Sequence, residues 1–170
     1  MPISPLFLAS TTVLKQRLRL SGVKPSGEIL IEDAIESARV TFYRRLGLTR
    51  VTVLLSYSYT ENPTTENGIL RALANQTETR LIRAQLLRTM STLFKDGSGS
   101  ASELWNQEGI FRTRSVDEIR SEIGIITSEV EDAFDILSGV EAIGEDVSIR
   151  INTIGPDVPA SAPGIQTNWS

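Results

Sequence analysis

Cysteine and histidine are both absent from this sequence of 170 residues. Without cysteine there is no disulfide framework, no thiolate metal site and no cysteine nucleophile. Without histidine the commonest general base, the usual zinc ligand and the serine-protease type of triad are missing as well. Carboxylates, lysine, tyrosine, serine and threonine are all that remain for catalysis, so the expectation is a protein that is not an enzyme. Long apolar runs are also lacking. No stretch approaches the ~20 apolar residues that a membrane-spanning helix needs. Met1–Ser10 holds Leu6, Phe7 and Leu8 but has no basic start, and it does not read as a signal peptide. The chain is expected to stay in the cytoplasm where it is made.

What is present describes an ordinary globular domain. Hydrophobic residues make up 40% and charged residues 22%, a balance that argues against disorder throughout. The length suits one domain with a core that needs no metal or disulfide. The net charge of −4 hides an asymmetry. Met1–Lys95 carries 13 Lys and Arg against 7 Asp and Glu, and the remainder carries 4 against 14. Fourteen of the 17 basic residues are arginine, the side chain suited to bidentate interface contacts. Copies of such a chain would meet basic face to acidic face, or the asymmetry is solvated charge clustered by chance.

Hydrophobic spacing predicts a mainly α fold. A short helix is expected from Thr11 to Leu20, capped by Ser10 or Thr11. A second runs from a Ser26 cap to Gly47, with Ile31, Ala34, Ile35, Ala38, Phe42 and Leu46 on one stripe. From Thr49 to Thr60 alternation and β-branched residues predict a strand, an arm or half of a hairpin. The third helix is expected from Glu66 to Lys95. Leu70, Leu73, Thr77, Leu81 and Ala84 share one arc, and Ile82, Leu86, Met90 and Leu93 a nearly opposite one. Two apolar sides need two covers, either the chain's own bundle or a neighbouring subunit on one side. Ser115 and Glu118 form a capping-box pattern opening a short helix with Ile119 and Ile123. Another helix is expected from Thr127 or Ser128 to Gly139, and a strand at Val147–Asn152. The resulting domain covers 1–154, with its strand-like insert at 49–60 and a glycine- and serine-rich flexible loop at 96–109. Residues 155–170, with three prolines, read as an extended C-terminal arm. Its Val158, Ile165 and Trp169 are either partner-binding residues or apolar residues on a disordered tail.

Chemical motifs are few. Glu131 and Asp135 lie one helical turn apart near Glu129 and Asp132, but they lack the alternating ligands and glycine of a calcium loop. Gly97-Ser98-Gly99-Ser100 lacks the lysine of a phosphate-binding loop. Arg80, Arg83 and Arg88, with Lys15, Arg17 and Arg19, offer phosphate contacts. The pI of about 5.0 nevertheless differs from that of specific DNA-binding domains. No catalytic residue, metal ligand or cofactor-binding residue is expected.

The order of these elements carries a resemblance. A short helix and a turn precede Glu28-Ile29-Leu30-Ile31-Glu32-Asp33-Ala34-Ile35-Glu36-Ser37-Ala38, Arg44-Arg45-Leu46-Gly47 closes that helix, and a long helix rich in Leu and Arg follows. Over residues 10–140 this resembles the head–tail connector proteins of tailed bacteriophages, the adaptor or head-completion family that docks beneath the portal. The resemblance implies a small bundle of about four to five helices with an extended C-terminal arm. It implies a homo-oligomeric ring of about a dozen copies in the virion neck, bound to the portal and to a downstream tail or neck protein. DNA would pass transiently through the lumen without sequence specificity, with no membrane and no cofactor involved. Arg80, Arg83, Arg88, Leu86, Met90, Glu131 and Asp135 are the candidate ring contacts. A different virion-associated or DNA-binding helical module is the alternative.

Overall fold

The computed structural model describes residues 3–20, 22–95 and 115–140, which form four helices and no strand. The loop within 96–109, the strand at Val147–Asn152 and the arm with Val158, Ile165 and Trp169 lie outside the described residues.

Helix α1 spans Thr11–Arg17, and the Ser10 hydroxyl caps it by accepting from the Val13 N–H at 3.3 Å. It stops short of Leu20 because Arg19 turns left-handed, with φ of 53°. The Leu20 N–H donates to the Lys15 carbonyl at 2.9 Å and the Arg19 N–H to that of Gln16 at 3.1 Å. That pair of bonds is the Schellman closure, here with arginine where glycine is usual.

Helix α2 spans Pro25–Ser56. It begins one residue before the expected Ser26 cap, since the fixed φ of proline suits the first helical position. Its expected stripe is buried throughout, from Ile31 to Leu46. Gly47 does leave the helical conformation (φ 78°, ψ 162°), but helical geometry resumes and continues to Ser56. The expected strand is therefore helix over most of its length. Val51 and Leu54, three residues apart, are both fully buried, and their burial outweighs a β preference worth at most ~1 kcal/mol. The hydroxyls suit a helix equally well: Thr52 donates to the Leu48 carbonyl at 2.9 Å and Ser56 to that of Val53 at 2.6 Å. At Gly47 a methyl group would meet nothing within 4 Å, so only the backbone conformation excludes other residues. Gly47→Ala is expected to cost about 1–3 kcal/mol, read as a fall in the urea midpoint with an unchanged slope.

Helix α3 spans Glu66–Lys95, the bounds expected of it, and lies between α2 and a fourth helix, α4 (Val116–Ser138). Leu70 and Ala84 of one arc and Ile82, Leu86 and Met90 of the other are all buried within the chain. Its own bundle supplies both covers. Helix α4 opens with the expected capping box: the Glu118 N–H donates to the Ser115 hydroxyl at 3.2 Å, and the Ser115 N–H to the Glu118 carboxylate at 2.8 Å. Two helices were expected here and one is found. The Thr127 hydroxyl donates to the Ile123 carbonyl at 2.7 Å and so is spent inside the helix instead of capping a new one. Three rings join the layers. Phe7 lies 4.9 Å from Phe42, and Phe42 lies 5.0 Å from Phe134 edge-on, linking the N-terminal segment, α2 and α4.

Candidate functional site

The most elaborate polar arrangement holds the N-terminal segment against α3. Arg71, Asn75 and Glu78 stand at i, i+4 and i+7, one above another on a single face. Glu78, with no exposed surface, accepts from the Leu6 N–H at 2.5 Å and from the Phe7 N–H at 2.8 Å. The Phe7 carbonyl accepts from Asn75 Nδ2 at 3.0 Å and from Arg71 Nη2 at 3.3 Å. The Arg71 guanidinium also lies 4.9 Å over the Phe7 ring. Arg17 extends the network by donating to Asn75 Oδ1 at 2.5 Å and to the Tyr59 hydroxyl at 2.8 Å. Every buried polar atom of the Phe7 backbone is thereby satisfied, which is what allows its ring into the core. Burial holds the Glu78 carboxyl above its ordinary value, while bonds from the Phe7, Leu6 and Leu8 backbone and the Arg71 charge pull the other way. Burial likewise lowers the Arg71 pKa, offset in part by Glu78.

A second polar seam runs along α4. Arg80 of α3 meets Glu129 at 3.1 Å, Arg83 pairs with Glu122, and Arg45 of α2 pairs with Glu131. Arg88 Nη2 donates to the Thr127 hydroxyl at 3.4 Å, and the Arg45 guanidinium lies 5.5 Å over the Phe134 ring. Part of the charge asymmetry of the sequence is thus used inside one chain, where acidic α4 pairs with individual arginines of α2 and α3. Most of the candidate ring contacts meet partners inside the chain. Leu86 and Met90 are each 1% exposed in the core, and Arg80, Arg83 and Glu131 face partners within the same molecule. Asp135 alone of the set is exposed with no side-chain bond to α2 or α3 described. Such half-exposed pairs contribute little individually. The triple variant Glu122→Gln/Glu129→Gln/Glu131→Gln is expected to lose about 0.5–3 kcal/mol in all by urea denaturation at low salt, and less at 1 M salt.

No family model matches the chain, and neither does any curated protein or solved structure.

Two outward stripes complete the surface. On α2, Ile29 (59% exposed), Val40 (58%) and Tyr43 share one face, separated by the exposed acids Asp33 and Glu36. On α4, Ile125 (60%) and Ile136 (58%) flank exposed Asp132. Eleven residues complete three helical turns almost evenly, so each pair at that spacing points the same way. Among the described residues no group of three or more metal-ligating side chains converges, and no helix is long and apolar enough to cross a membrane. Sequence reading missed Arg71, Asn75 and Glu78, although their spacing was a usable signal: polar residues repeating on a helix that also carries two apolar arcs.

Proposed function

We propose that this chain is a structural subunit of a bacteriophage neck, assembling as a ring between portal and tail through which DNA passes, with no catalytic role. The observation that carries this reading is the pair of apolar stripes on α2 and α4. They stay exposed at matched eleven-residue spacing, while the ion pairs that join α4 to α2 and α3 close within the chain. The stripes lie on different helices, so a contact between them is head-to-tail, the type that closes into rings. The resemblance of Glu28–Ala38, Arg44–Gly47 and the following long helix to connector proteins supplies the kind of assembly. In this reading the arm at 155–170 reaches the portal or a neighbouring subunit through Val158, Ile165 and Trp169, and the subunit resides in the virion.

Light scattering on the purified chain, alone and mixed with portal protein, tests this. A ring, or a complex formed only with the portal, is the expected result. Val40→Asp combined with Ile136→Asp should abolish it while leaving the helical content intact, because both sites are open to solvent. A truncation lacking 155–170 should fold and yet fail to join the portal. An unchanging 18.7 kDa monomer in every mixture would overturn the proposal.

A further inference from the structure

We infer that the hollow between α1 and α3 is a binding site for a phosphate group. It is open to solvent, offers about 180 Å³ and is lined by Arg17, Leu18, Gln76, Thr79, Arg80 and Arg83. That is several times the ~30 Å³ share of one water in the liquid, room for a tetrahedral oxyanion and part of its hydration. Three of the six lining residues are arginines and none is acidic. The four from α3 stand at i, i+3, i+4 and i+7, so one helical face presents them together.

The arginines are held in place from outside the hollow. Glu129 takes Arg80 through Nε, Glu122 takes one terminal nitrogen of Arg83, and Asn75 and Tyr59 hold Arg17. A guanidinium has five N–H donors, and these contacts use one or two of each. Arg83 Nε is buried with no hydrogen-bond partner in the structure. Buried to that degree, Nε lies out of reach of a ligand in the hollow, so the donors on offer are the terminal guanidinium N–H groups that Glu129, Glu122, Asn75 and Tyr59 leave over.

The chemistry favours phosphate over a carboxylate. One planar carboxylate matches one guanidinium fork, whereas three guanidiniums line this hollow. A phosphate group offers up to two charges and several acceptor oxygens to forks from different directions. The phosphate belongs either to a free inorganic ion or to a nucleic-acid backbone, and the chemistry of recognition is shared. This inference stands apart from the neck reading, since the hollow lies on neither stripe.

Titrating the full chain with inorganic phosphate, and separately with a short DNA duplex, at matched ionic strength against sodium chloride tests it. The readout is the arginine Nε–H resonances. Saturable shifts at Arg80 and Arg83 are expected, with Arg120, 63% exposed on α4, drifting only as it does in chloride. Saturation by the duplex at lower concentration than by phosphate assigns the source to nucleic acid; the reverse assigns it to the free ion. Arg83→Gln should weaken binding about tenfold or more. Because that variant also loosens α4, Glu122→Gln is the companion: it breaks the same pair but leaves the cation, so binding should hold or tighten. Equal shifts at every arginine, or equal weakening by both variants, would overturn the inference.

Discussion

Phe42→Ala is expected to remove about 3–5 kcal/mol of stability, the range for truncating a buried phenylalanine. For a domain of ordinary stability that is about a fifth of the total or more. Phe42 has no exposed surface and is the middle ring of three, so its loss separates Phe7 from Phe134 and opens a cavity that rigid helices fill poorly. Melting should occur about 6–20 °C lower. Phe134→Leu, which keeps most of the volume and removes one edge contact, should cost about half as much or less. A Phe42→Ala loss below about 1 kcal/mol would mean that the rings do not join the layers as described.

Glu78→Leu has the second large effect. It fills much the same space, but it leaves the Leu6 and Phe7 N–H groups in the core with no acceptor. At about 1–3 kcal/mol for each orphaned donor, the expected loss is about 2–6 kcal/mol. The Leu6 and Phe7 amides should lose their protection from hydrogen exchange before the rest of the chain does. Glu78→Gln separates charge from shape through its pH dependence. Burial raises the folded-state pKa above the ordinary 4.5, so the folded protein holds this proton more tightly than the unfolded chain. The associated stability is complete below 4.5, falls as pH rises through the folded-state pKa, and is flat above it. Wild type minus Glu78→Gln should therefore grow in wild type's favour on acidification, while the ion pairs common to both cancel. A difference that shrinks toward acid would contradict the burial of this carboxyl.

Helix positions were legible where one signal dominated. Glu66–Lys95 lacks proline, carries apolar residues on both arcs and was bounded correctly; Ser115 with Glu118 marked the start of α4 through a reciprocal pair of bonds. Legibility failed where two periods fit the same residues. Val51, Val53, Leu55, Tyr57 and Tyr59 alternate as a strand would, but Val51 and Leu54 also sit one helical turn apart, and only the core opposite them decides. Thr127 misled for a related reason, because a hydroxyl that can cap a helix can also bond back inside one. The interface candidates raise a different point. Opposite charges in the two halves state that attraction exists, and sequence does not say whether the partner is the next molecule or the next helix. The arginines of the hollow were visible as a phosphate-binding set, yet Arg17 and Arg80 meet only once α1 has folded back on α3.

The central place of α3 also sets the order in which the molecule comes apart. Peeling away α4 exposes one side of α3, and releasing the N-terminal segment exposes another, but neither event frees α3 itself. Backbone amides from Ile82 to Met90 should therefore exchange with solvent only when the whole chain unfolds, while α4, held on one face and by partly exposed ion pairs, opens at lower cost. The slowest clock in the protein runs along the inside of α3, and the fastest of the long helices is the acidic one that leans on it.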